Sequence, residues 1–120
     1  MIVLDASAVL AYLQGEPGAD TVGEHLAGSR LGAANLSEVL ARMDGQVEAR
    51  VAEALLLARG VVIEPVIVDD ARGAAMLRAA RPHLSLGDRL CLALADRLSA
   101  VALTADRAWG SSDGVLQVRP

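Results

Sequence analysis

The chain has 120 residues, 53% of them apolar, with 15 acids against 11 bases and a net charge of −4. Every base is arginine, which excludes mechanisms built on a lysine: a P-loop cation, a Schiff base or a lysine general base. The acidic balance opposes a broad electrostatic grip on nucleic acid, and Tyr12 and Trp109, the only aromatic residues, make no base-stacking platform.

The length suits one domain, 1–120, built around a single core. A mean hydropathy of +0.40 exceeds what a small core hides, so a partner is expected to cover part of the surface. One cysteine, Cys91, permits no internal disulfide and fits a reducing compartment. The first residues lack a basic n-region, and no apolar run approaches the roughly 20 residues of a spanning helix. The expectation is a cytoplasmic protein with no membrane partner.

Met1-Ile2-Val3-Leu4 reads as a short strand buried on both faces, with Asp5 at its carboxyl end. Ala6–Gln14 reads as a helix that Gly15-Glu16-Pro17-Gly18 stops, and a second helix runs from Ala19 to Ala27. Arg30–Ala34 is a short extended piece. Asn35-Leu36-Ser37 opens another helix, because Asn and Ser are preferred caps and Glu38 follows. After the break at Asp44-Gly45, Gln46–Arg59 is the clearest helix, with Val47, Val51, Leu55 and Ala58 at helical spacing and Gly60 ending it.

Val61-Val62-Ile63 is a second buried strand, and Val68–Ala80 is helical again. Ser85-Leu86-Gly87-Asp88 has the spacing of a capping box, and the helix it opens buries Leu90, Cys91, Leu94 and Leu98. Val101-Ala102-Leu103 is a third apolar strand, followed by Thr104-Ala105-Asp106 and a short turn holding Trp109. Gly110–Gly114 is a tight loop, and Val115–Val118 is a last edge strand. Helices alternating with short apolar strands predict a three-layer α/β/α domain around a central, mostly parallel sheet.

Four acids stand out by position. Asp5 and Asp106 follow the ends of apolar strands; Glu38 and Asp88 lie in the first turns of helices. Each also has an ordinary structural use, as a cap or a helix-dipole partner worth about 0.3–1 kcal/mol. In a parallel sheet, however, all four face the same edge, where ligands collect. Clustered carboxylates raise one another's pKa values unless a divalent cation neutralises them, and hard Mg2+ or Mn2+ prefers oxygen ligands. Such a cation activates water and binds phosphate oxygen, which lets an acidic protein engage an anionic substrate. Ser7 lies near Asp5, while Arg89 and Arg107 neighbour two of the acids and are candidate phosphate contacts. His25 and His83 are isolated, and no Cys/His cluster has zinc spacing.

Four stretches resemble the PIN-domain ribonucleases, specifically the VapC-type toxins of bacterial toxin–antitoxin pairs. They are Ile2-Val3-Leu4-Asp5-Ala6-Ser7, Asn35-Leu36-Ser37-Glu38-Val39, Ser85-Leu86-Gly87-Asp88-Arg89-Leu90-Cys91-Leu92-Ala93 and Leu103-Thr104-Ala105-Asp106-Arg107-Ala108-Trp109. They follow the family's order and span nearly the whole chain. The resemblance implies a PIN-like domain and a Mg2+- or Mn2+-dependent endoribonuclease. Asp5, Glu38, Asp88 and Asp106 fall on the family's acidic positions: Asp5, Asp88 and Asp106 as metal ligands, Glu38 as ligand or positioner of the attacking water. Ser7 falls where the family has a Ser or Thr. The resemblance further implies an RNA substrate, a homodimer and a small antitoxin partner that covers the cleft. A catalytically silent module that keeps the fold and binds a partner protein is the alternative. A phosphoacceptor receiver domain is excluded with its lysine.

Overall fold

The central strand is the first one. β1 (Ile2–Leu4) pairs in parallel with β2 (Arg30–Gly32) on one side and with β4 (Val101–Thr104) on the other. Beyond them lie β3 (Val62–Glu64) and β5 (Val115–Gln117), giving the order β3-β2-β1-β4-β5. All four pairings are parallel, so the mostly parallel sheet of the sequence reading is parallel throughout. This computed structural model describes residues 1–112 and 114–119. Asp113, within the expected loop Gly110–Gly114, and Pro120, last residue of the expected domain, lie outside the described residues.

The chain lays β2 and β3 to one side of β1, then crosses back to place β4 and β5 on the other. Strand order reverses between β1 and β4, which opens a crevice at their carboxyl ends, the usual ligand position of an open α/β sheet. Asp5 and Thr104 stand at the two lips of that crevice.

Alternation along the strands makes the layers. Val3 and Ala102 enter one core with Cys91, Leu94, Ala95, Trp109 and Val115. Leu4, Leu31 and Leu103 enter the other with Val9, Val22, Val39 and Leu56. The β1 strand is thus buried on both faces as expected, each such side chain contributing about 1.5–3 kcal/mol. The helices are α1 (Ala6–Gln14), α2 (Ala19–His25), α3 (Ala33–Ala41), α4 (Gln46–Ala58), α5 (Val68–Ala80) and α6 (Leu86–Arg97). A 3-10 turn, Arg107–Trp109, carries the buried Trp109.

The expected capping box forms: the Asp88 N–H donates to Ser85 Oγ at 3.2 Å, and the Ser85 N–H donates to Asp88 Oδ2 at 3.1 Å. The expected start of α3 does not hold. The helix begins at Ala33 after an extended Gly32, so Asn35 is no cap but a buried residue inside the first turn. β2 ends at Gly32 and feeds the helix directly, leaving no room for a capping side chain.

The α4 helix forms where its periodicity places it, yet its Val/Val/Leu stripe faces outward. Val47 is 68% and Val51 63% exposed, while Ala52 and Leu56 turn into the core. The apolar excess of the sequence therefore resides partly on this face.

Candidate active site

Asp5 is positioned by three local constraints. Its N–H donates to Leu103 O at 3.1 Å, continuing the β1–β4 ladder one residue past the strand. Its side chain caps α1, with Oδ1 accepting the Ala8 N–H at 2.8 Å. Two hydroxyls complete the cradle: Ser7 Oγ donates to the carboxylate at 2.8 Å, and Thr104 Oγ1 donates to Oδ2 at 2.7 Å. The side chain that caps α1 is thus also one that lines the cavity at the sheet edge.

The price of that position is desolvation. Burial pushes the Asp5 carboxyl from 3.8 up to about 6; the Ala8, Thr104 and Ser7 donors pull it down, and the charge of Asp88 adds to the rise. An acid this strained towards its neutral form is one that a cation would restore to charge.

Glu38 and Asp88 reach the same place from two helices. Glu38 Oε1 accepts the Asn35 Nδ2–H at 2.8 Å, and Asn35 Nδ2 also donates to Gly87 O at 3.1 Å, tying α3 to the start of α6. Gly87 lies so close that a Cβ there would overlap Glu38 Oε1 and stand 2.8 Å from its Cδ. Only a glycine leaves this carboxylate its seat. Asp88 enters through the capping box.

Asp5, Ser7, Glu38 and Asp88, with Ala6, Leu10 and Arg42, line one open cavity of about 370 Å3. Cys91 responds to the same three acids. Burial raises its thiol well above the usual range, and the charges of Asp5, Asp88 and Glu38 add to the rise. Buried and with Sγ 3.7 Å from Leu4 O, it is a core residue, as its place on the apolar helical face implies.

The other predicted site residues fall elsewhere. Asp106 does not line the cavity. Its Oδ1 caps the 3-10 turn through the Ala108 N–H at 2.9 Å, and its own N–H donates to Thr104 Oγ1 at 3.0 Å. It stands one hydroxyl removed from Asp5, on the same sheet edge. Arg89 donates to Ala74 O at 2.8 Å on α5, and Arg107 lines a separate cleft with Gly110, Ser111, Gln117 and Arg119. Three residues escape the sequence reading as site components. Thr104 had its place at a strand end as the signal, Asn35 was read as a cap, and Arg42 lies four residues after Glu38 on the same helix.

The donors facing the cavity are carboxylate and hydroxyl oxygens, a set suited to Mg2+ or Mn2+ rather than to zinc. Among the described residues no three Asp, Glu, His or Cys side chains stand close enough to ligate one ion directly. Mg2+ characteristically keeps several waters and takes only one or two carboxylates, so the walls of an open acidic cavity fit it.

A parallel α/β sheet with carboxylates converging at its switch point defines an acidic-site α/β domain. The PIN domain family model matches residues 2–113, and the chain belongs to that family. No curated protein matches the sequence. Among solved structures, a toxin–antitoxin complex from Klebsiella pneumoniae superposes with a TM-score of 0.85 at 18% identity, covering 98% of this chain and 98% of that one. VapC20 of Mycobacterium tuberculosis, described as a sarcin-ricin loop cleaving toxin, gives 0.70 at 20% identity over 94% of this chain and 98% of that one. DNA-bound VapBC from Salmonella typhimurium gives 0.71 at 12% identity over 98% and 97%. At these identities the likeness is one of fold.

Proposed function

We propose that the chain is a divalent-metal-dependent endoribonuclease that acts as the toxin of a toxin–antitoxin pair. The convergence of Asp5, Glu38 and Asp88 on one cavity at the sheet's switch point carries the reading. Family membership and the toxins among the structural neighbours support it.

Asp5 and Asp88 would hold a Mg2+ or Mn2+ ion directly, with Asp106, at the adjoining strand end, reaching it through one of the waters such an ion keeps. The ion would supply Lewis acidity to the phosphodiester and lower the pKa of water. Glu38, fixed by Asn35, accepts a hydrogen bond from the attacking water and orients it towards phosphorus. Ser7 and Thr104 hold the Asp5 carboxylate in one rotamer, so its direction is set before substrate arrives. Leu10 forms an apolar part of the wall that limits water around the reacting group. Arg89 and Arg107, engaged elsewhere in the fold, serve the RNA only outside this cavity.

The same reading assigns a small cognate antitoxin and a second copy of the chain as partners. The exposed Val47 and Val51 of α4 provide apolar surface for one of them to cover. No helix among the described residues is long and apolar enough to cross a membrane.

The test is cleavage of structured RNA by wild type, Asp5→Asn and Glu38→Gln, with Mg2+, with Mn2+ and with EDTA. Cleavage that needs the metal and is lost in both variants supports the reading. Undiminished cleavage by Asp5→Asn overturns the site, and a wild type inert on every RNA while binding a partner protein makes the chain a silent module.

A further inference from the structure

Arg42 is the one cation among the residues lining the acidic cavity. It closes α3, four residues after Glu38 and therefore on the same helical face. That spacing ordinarily favours an ion pair, and three carboxylates share the cavity with it. Yet the ion pairs found among the described residues are Arg30–Glu64, Arg72–Asp69 and Arg97–Asp70, and Arg42 is in none of them. Glu38 is bound instead by Asn35, and Asp88 by the backbone of Ser85. Asp5 is taken by Ala8, Ser7 and Thr104. Each acid is thus held by a neutral donor, and the guanidinium beside them is left without a carboxylate.

We propose that Arg42 is a substrate-contacting residue that binds a phosphate of the RNA strand entering the cavity. The proposal rests on the nuclease reading. A strand of phosphates approaching three carboxylates meets repulsion that a metal relieves only where it sits. A guanidinium lining the same cavity supplies a second point of attraction, and its planar fork matches two phosphate oxygens. Its place at the end of α3 also suits it, because a cation there faces the negative pole of the helix. Neutral donors on the acids keep Arg42 from being consumed by an internal salt bridge. It binds and orients; no bond to it forms or breaks.

The experiment measures binding of a fluorescein-labelled single-stranded RNA by anisotropy in EDTA, across a NaCl titration, together with KM for cleavage in Mn2+. Wild type is compared with Arg42→Gln, Arg42→Lys and Arg78→Gln, the last removing an exposed charge from α5. Arg42→Gln should weaken binding about five- to tenfold, raise KM by a similar factor, and flatten the plot of log K against log salt by about 0.7. Arg42→Lys should keep the wild-type slope, and Arg78→Gln should match wild type in all three. A wild type that cleaves RNA while Arg42→Gln equals it in Kd, KM and slope overturns the role of Arg42 alone. A wild type that neither binds nor cleaves RNA overturns the nuclease reading, and this proposal with it.

Discussion

Thr104 Oγ1 donates to Asp5 Oδ2 at 2.7 Å across the two strands that flank the switch point. The same hydroxyl accepts the Asp106 N–H at 3.0 Å, so one buried side chain couples both strand-end acids. Thr104→Val keeps the shape of the side chain and removes both bonds. It should cost about 1–3 kcal/mol in a denaturant melt, and it should lower RNA cleavage by freeing the Asp5 carboxylate to rotate.

Gly87→Ala probes Glu38 without touching it. The added methyl meets the end of a flexible, exposed side chain and no backbone, so the fold accommodates it by moving the carboxylate. Thermal stability should change by less than about 1 kcal/mol, within the ordinary range of single substitutions. Cleavage should fall about 10- to 100-fold, the loss that follows when a water-positioning group shifts by an ångström or so. Unchanged cleavage would remove Glu38 from the mechanism.

Helix α4 offers a comparison within one element. Leu56 is fully buried, whereas Val51 is 63% exposed. Leu56→Ala should therefore cost about 2–5 kcal/mol, and Val51→Ala about 0.5 kcal/mol or less. Parallel urea titrations read both values. Equal costs would mean that the outward stripe is packed against something in the protein as purified.

Acid stability depends on Asp70. Burial acts to raise its pKa, but Arg97 Nε–H at 2.7 Å and the Ile67 N–H at 3.1 Å donate to its carboxylate and bring it below the usual 3.8. A lowered folded pKa means that the stabilisation is present above the unfolded value and is lost as pH falls through the folded one. Arg97→Gln should be less stable than wild type by about 1–3 kcal/mol at neutral pH. That difference should shrink as pH falls below about 4, through the titration of Asp70. A difference that persists unchanged in acid would assign it to packing instead.

Much of this architecture was legible in the chain because apolar runs such as Ile2-Val3-Leu4 have no other place than a sheet buried on both faces. The glycines after α1 and α4 end helices where the backbone needs positive φ, and they read the same way in sequence and structure. The acids were legible by address, at strand ends and helix starts. Their surroundings were not. Asn35 has the chemistry of a cap, and only the direct passage from β2 into α3 shows that its amide is spent on Glu38 and Gly87 instead. Periodicity identified α4 as a helix but could not say which of its apolar residues face the core, since that depends on neighbours distant in the chain. Asp106 shared the strand-end signal of Asp5, yet a residue of extra reach put its carboxylate on the following turn.

The central claim is that the buried Asp5 and its neighbouring acids receive a divalent cation. The most direct measurement is the melting temperature of wild type and Asp5→Asn in EDTA and in millimolar Mn2+. Binding to the native state alone raises stability with free ligand concentration, by about 2.7 kcal/mol at a hundredfold excess over Kd. Wild type should melt higher in Mn2+ than in EDTA, and Asp5→Asn should show little or none of that shift while remaining folded in both. A wild-type melting temperature indifferent to Mn2+, or an equal shift in the two proteins, would contradict the account.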